Sequence, residues 1–201
     1  MGSVSAESIG GSTEQKGVAS LVRNGGEEIT VSGTSVPGIE LKDTAVTGNG
    51  RMLIEFLDEE QLSIIEHTRI YIDEAYYDPD PSKSKMAIRM VQGTARFTSG
   101  RGKRIKKSNI QLSTPTAEIA ILGTDFTTTI DEIGQSLIIL LPDEKTGLSS
   151  GKIIISNAGG TVTLEEAYQA SIISSYDRAP SSPVILSGID TSMISNIFIV
   201  S

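Results

Sequence analysis

The sequence predicts an all-β fold: a compact sandwich or roll of short strands, with a polar N-terminal arm and a short C-terminal extension. Three observations point there. The chain has 201 residues and is 38% hydrophobic but only 4% aromatic, so its core must be built from Ile, Leu, Val, Ala and Met. Gly, Ser and Thr are plentiful, which suits strands broken by frequent turns. Short apolar runs recur about every 8–12 residues, the spacing of sandwiches, rolls and barrels, and no segment before residue 165 carries a long helical period with caps.

In order, residues 1–16 are polar and rich in Gly and Ser, an arm that alone would be disordered and that needs another surface to lie on. The β domain is expected over 17–173. Val18–Val22 reads as its first strand, followed by the turn Asn24-Gly25-Gly26, with Ile29–Val31 as the next. Asn49-Gly50 is a hairpin signal ahead of Arg51–Leu57. Leu62–Ile65 and Arg69–Asp73 continue the series, and Met86–Val91 and Ala95–Thr98 flank Gly93. Ile110–Leu112, Glu118–Leu122, Phe126–Ile130, Leu137–Leu141, Lys152–Ser156, Thr161–Leu164 and Ala167–Ile173 complete the domain. Ala179–Pro183 reads as a linker within a 174–201 extension, and Val184–Leu186 as a short strand. Met193, Ile194, Ile197 and Phe198 would form one helix face, although Ile197–Val200 is equally readable as strand. An apolar end of this kind should dock, on its own domain or on a neighbour.

The stretch Ser113–Phe126 is the most distinctive. Pro115 biases Thr114 toward an extended backbone. Ala117, Ile119 and Ile121 then share one side of a two-residue repeat, and Gly123 interrupts before Phe126 restarts a strand. Together with Lys16–Val22, Gly48–Asp58, Leu62–Ile65, Thr68–Ile72 and Val91–Phe97, all in the same order, this stretch resembles the FecR domain across about residues 16–172. The resemblance implies a compact all-β module, often placed outside the cell membrane, that binds and signals rather than catalyses. In envelope signalling proteins the domain follows an anti-sigma segment and a membrane helix, whereas similar domains also occur alone, in secreted proteins and in bacteriophage particles.

Charge is arranged in blocks. Residues 55–80 hold nine acids against Arg69 alone, and residues 83–107 hold nine Lys and Arg with no acid. The blocks either pair within one sheet or form complementary patches on neighbouring subunits. Within the basic block, Arg101, Lys103, Arg104, Lys106 and Lys107 read as a solvated hairpin tip or a contact for an acidic partner. Nucleic acid is disfavoured by the net charge of -8 and by the lack of interleaved aromatics.

Other constellations are weak. Asp73, Glu74, Asp78 and Asp80 do not match a calcium loop. His67, the single histidine, reads as incidental, and no serine sits in a nucleophile elbow. Gly147–Lys152 has the wrong spacing for a phosphate loop. With no Cys there are no disulfides and no thiolate chemistry. Residues 1–20 lack the apolar core of a leader, and apolar runs fall far short of the roughly 20 residues of a bilayer span.

The expectation is therefore a non-enzymatic structural or assembly protein without cofactor, metal, membrane or small-molecule substrate. It would be a virion component, in the tail or capsid of a phage, working through other protein subunits in a homo-oligomer. The partner contacts would be Arg101, Lys103, Arg104, Lys106, Lys107, Met193, Ile197 and Phe198. The alternative is a periplasmic or extracellular sensory domain of a FecR-type transmembrane regulator, excised from a longer chain.

Overall fold

The structure, a computed structural model, describes residues 8–32 and 37–198. Its strands form one continuous sheet with β7 (Lys85–Thr98) as the spine. Along one edge of β7 lie β6 (Arg69–Tyr76) and then β5 (Gln61–Ile64). Beyond them runs β4 (Thr44–Phe56), which pairs with both, and beyond β4 runs β1 (Gly10–Val22). The outer edge of β1 carries β2 (Glu28–Val31) and β3 (Gly38–Ile39). The other edge of β7 splits into two wings. Its first half pairs in parallel with β8 (Ile110–Ser113), which leads to β9 (Glu118–Ile121), β12 (Ile153–Asn157) and β13 (Gly160–Leu164). Its second half pairs with β10 (Asp125–Ile130), which leads to β11 (Ser136–Leu140), β14 (Gln169–Ile173) and β15 (Val184–Ile185).

The all-β class is as the sequence predicts, but three strands are long, with 13 residues in β1, 13 in β4 and 14 in β7. Two glycine signals explain the difference. Asn49-Gly50 makes no hairpin; it lies inside β4, where Gly50 faces Gly17 across a bulge in β1. The backbones approach so closely there that a Cβ on Gly50 would sit 2.5 Å from both the nitrogen and the oxygen of Val18, while Gly17 takes φ +74. Gly93, with φ +92, bends β7 rather than ending it. That bend is where its partner changes from β6 to β5.

The expected arm over 1–16 is corrected in the same way. From Gly10 the chain is strand, paired with β4 through Lys16. The backbone ladder with β4 holds that segment. Residues 1–7 lie outside the described part.

One core serves both wings and the β1–β4 layer. Alternation selects its members: in β4 and β5, Met52, Ile54, Phe56, Leu62 and Ile64 point inward. Ala117, Ile119, Ile121 and Phe126 are buried as expected, and the Phe97 and Phe126 rings pack with centroids 5.7 Å apart. Gly123 sits at φ +75 in the bend between β9 and β10, a conformation that a larger residue resists.

At the C-terminal end, Thr191–Phe198 is a helix, α1, and not a strand. The Asp190 carboxylate caps it by accepting the Met193 amide at 2.9 Å. Ile194 and Phe198 then dock on Leu141, Ile65, Ile139 and Ile189, a cluster separate from the main core. Residues 199–201 lie outside the described part. No helix among the described residues is long and apolar enough to cross a membrane.

Candidate functional site

The two charge blocks meet inside this chain. Pairing of β6 with β7 sets Asp73 beside Arg89, which donates two hydrogen bonds of 3.0 Å to its carboxylate. Arg89 also lies over the Tyr71 ring, 4.8 Å from its centroid. The deeper meeting is between the β4–β5 turn and the loop 99–107.

That turn, residues 57–60, reverses the chain through Glu59 at φ 63. The inward alternation of β4 continues through it, so Asp58 and Glu60 take buried positions between Phe56 and Leu62. Both side chains are fully shielded from solvent. Loop 99–107 supplies their partners. Gly100 N–H donates to Glu60 Oε2 at 3.0 Å, and Arg104 N–H donates to Asp58 Oδ1 at 2.6 Å. Lys107 Nζ pairs with Glu60 and lies 3.5 Å from Asp58 Oδ2. Burial pushes the Glu60 carboxyl above its ordinary value, with Lys107 opposing the shift. The neighbouring Tyr77 hydroxyl is buried without a hydrogen-bond partner. Burial first, and then the charges of Asp58 and Glu60, push its pKa up to about 12.

Loop 99–107 is therefore not wholly the solvated tip that the sequence suggests. Ile105 is buried in the core, and Lys107 is an internal counter-ion. Gly100 and Gly102 press on the turn; a Cβ on either would come within 2.2 Å of backbone atoms of Glu59 or Asp58. Arg101, Lys103, Arg104 and Lys106 do project into solvent.

Beside this loop a cleft of about 460 Å³ opens at the junction of β5, β7 and β10. Its floor carries Arg96 and Asp125, joined by two hydrogen bonds of 2.9 and 2.5 Å. The Asp125 contact, strengthened by Glu144 at 3.3 Å, raises the Arg96 pKa against the opposing effect of burial. Ser63, Thr98, Ser99, Thr124 and Ser150 add hydroxyls to the walls, and Arg101 and Lys145 add cations. Such an arrangement offers hydrogen bonds and charge. Among the described residues, no three His, Cys, Asp or Glu converge on a common metal position.

The remaining sequence candidates are spread over the surface. His67 is exposed in the tight turn between β5 and β6, at φ 57. Asp78 accepts from the Tyr76 hydroxyl, and Asp80 caps Ser82. Lys152 pairs with Glu165 at 3.0 Å. Met193 and Ile197 are exposed on α1, whereas Phe198 is buried against Leu141, so these three do not form one surface.

Asp58, Glu60, Arg96 and Asp125 were not singled out from the sequence as site residues. For Asp58 and Glu60 a signal exists, since residues 54, 56, 58, 60, 62 and 64 keep a period of two through the turn. Asp125 offers none, because β10 is buried on both faces and alternation disappears.

The family model described as FecR protein matches residues 43–141, from just before β4 to just after β11. No curated protein matches the sequence. Among solved structures, a crystal structure at 2.50 Å of a candidate anti-sigma factor from Parabacteroides distasonis ATCC 8503 is similar, with 14% identity and a TM-score of 0.49. The alignment covers 68% of this chain and 56% of that one, so this chain spans little more than half its length. Residues 43–141, from β4 to β11, are thus similar to the FecR protein family.

Proposed function

We propose that this chain is a non-enzymatic binding domain of FecR-type regulation, placed outside the cytoplasmic membrane, that engages a protein partner and passes the signal on through the polypeptide of which it forms part. The observation that carries the reading is the FecR match over 43–141, which takes in the β4–β5 turn, loop 99–107 and most of the cleft. The chemistry of the candidate residues supports it. Arg96 is paired with Asp125, and Lys107 with Asp58 and Glu60, so these charges tie elements of the fold together. The reading expected first from the sequence, a virion component in a homo-oligomer, has no observation behind it. The polar arm expected to need another surface lies, from Gly10 to Lys16, on β4 of its own domain.

The test is genetic. Cells whose chromosomal gene lacks residues 43–141 should show altered transcript levels for a coherent gene set, measured by RNA sequencing against cells with the intact gene. An unchanged transcriptome overturns the regulatory reading. Alkaline phosphatase fused after residue 201 should be active in the intact cell, as the enzyme is only outside the cytoplasm; an inactive fusion overturns the placement.

A further inference from the structure

We propose that loop 99–107, together with the cleft beside it, is a docking site for an acidic segment of a partner protein. This inference rests on the binding-domain reading and names the surface and the chemistry of its partner.

The first support is a concentration of uncommitted charge. Arg23, Arg51, Arg89, Arg96, Lys107 and Lys152 each have an acid within ion-pair distance. Arg101, Lys103, Arg104 and Lys106 have none among the described residues, and all four are exposed within six positions of one loop. They form a cationic projection on a chain of net charge -8.

The second support is preorganisation. Ile105 anchors the loop in the core. Its backbone is held by Glu60 at Gly100, by Asp58 at Arg104, and by the Pro81 carbonyl, which accepts the Lys106 N–H at 3.1 Å. A loop fixed before the partner arrives loses little conformational freedom on binding. The cations therefore stand at set positions, and Arg101 lines the adjoining cleft, where the Ser99 hydroxyl, which accepts the Thr124 N–H at 3.0 Å, keeps its own proton to donate to a carboxylate.

The third support separates a protein from other polyanions. Neither the loop nor the cleft lining holds an aromatic on which a base could stack. Glu59, Asp143 and Glu144 stand close by. They interrupt the positive surface, which disfavours a continuous phosphate chain or an extended anionic bilayer more than a short run of spaced carboxylates. Charge complementarity of this kind governs orientation and association rate.

The experiment is fluorescence anisotropy on the full chain with a labelled peptide of alternating Glu and Gly. An oligothymidylate of equal charge and phosphatidylglycerol vesicles serve as competing anions. Saturable peptide binding at low salt is expected, weakened about ten-fold or more at roughly 0.5 M salt and by the four-fold variant R101Q/K103Q/R104Q/K106Q. Lys107 is kept so that the buried acids stay paired. Circular dichroism checks the variant's fold; if it fails, the single change R101Q, expected to weaken binding about three-fold, decides. Absence of saturable binding overturns the proposal. So does full affinity in the folded variants, or tighter binding of oligothymidylate or vesicles than of peptide. Peptide binding without any transcriptional effect of the 43–141 deletion would fail the regulatory reading alone; a transcriptional effect without peptide binding would fail this one alone.

Discussion

Replacing Lys107 with Met removes one charge while keeping most of the side chain's length and packing. It leaves Asp58 and Glu60, both fully shielded, without their cation. Stripping one partner from a buried ion pair costs about 3–5 kcal/mol because the remaining charge is neither solvated nor paired. Lys107 itself retains a quarter of its exposure, so some water reaches the pair. The lower end, about 3 kcal/mol, is therefore expected at pH 7. The pH dependence follows from Glu60, whose folded-state pKa is already raised by burial. A raised carboxyl binds its proton more tightly in the folded state. The associated stability is fully present below the unfolded value and is lost as pH rises through the folded one. Without Lys107 the folded value moves higher still, so the deficit of the variant should shrink between pH 7 and pH 5. Urea unfolding followed by far-UV circular dichroism at both pH values measures this. The double variant E60Q/K107M should recover about half of the loss, since it removes the stranded charge as well. A loss under about 1 kcal/mol, or a deficit equally large at pH 5, would refute the account of this cluster.

Other perturbations test other parts of the fold. Gly93→Ala should cost about 3 kcal/mol or more in urea unfolding, because φ is +92 and the new Cβ would lie 2.5 Å from Thr68 Cα; a loss under about 1 kcal/mol would show that β7 relaxes there. Tyr77→Phe should be neutral or raise stability by about 1 kcal/mol, since its hydroxyl is buried without a partner; a marked loss would mean that the hydroxyl is bonded after all. Phe198→Ala should release α1, seen as faster amide hydrogen exchange at residues 191–198, with the midpoint for the β domain nearly unchanged because the helix packs on a separate cluster. Arg96→Met should cost about 3 kcal/mol by stranding Asp125 on the cleft floor, and a variant as stable as the parent would show that water reaches that carboxylate freely.

Local periodicity made much of this structure legible. Ile119, Ile121 and Phe126 are buried where a two-residue repeat places them, and the strand order of β4 to β14 follows the apolar runs. What was not legible depends on contacts between distant segments. Asn49-Gly50 reads as a turn in isolation, but Gly17, more than thirty positions earlier, makes it a close crossing of two strands. Gly93 looks like a strand end, and only Thr68 on the other side of the turn explains why a residue without Cβ is required. The C-terminal helix presents two pairs at four-residue spacing, Met193 with Ile197 and Ile194 with Phe198. Which pair docks is decided by the position of Leu141, which the local sequence does not contain.

The same dependence on distance explains the candidate site. Read along the chain, the acidic block and the basic block are two opposed runs. Folded, the acids of the β4–β5 turn are turned inward by alternation, and burying them would be unfavourable without donors. Loop 99–107 supplies two backbone N–H groups and the Lys107 ammonium. Burial keeps the Glu60 pKa raised although Lys107 opposes it, and Arg101, Lys103, Arg104 and Lys106 face outward without joining the cluster. Their projection from a loop that buried acids hold in place separates two groups of charge: Asp58 and Glu60 fix the loop backbone, and the four cations stay exposed upon it.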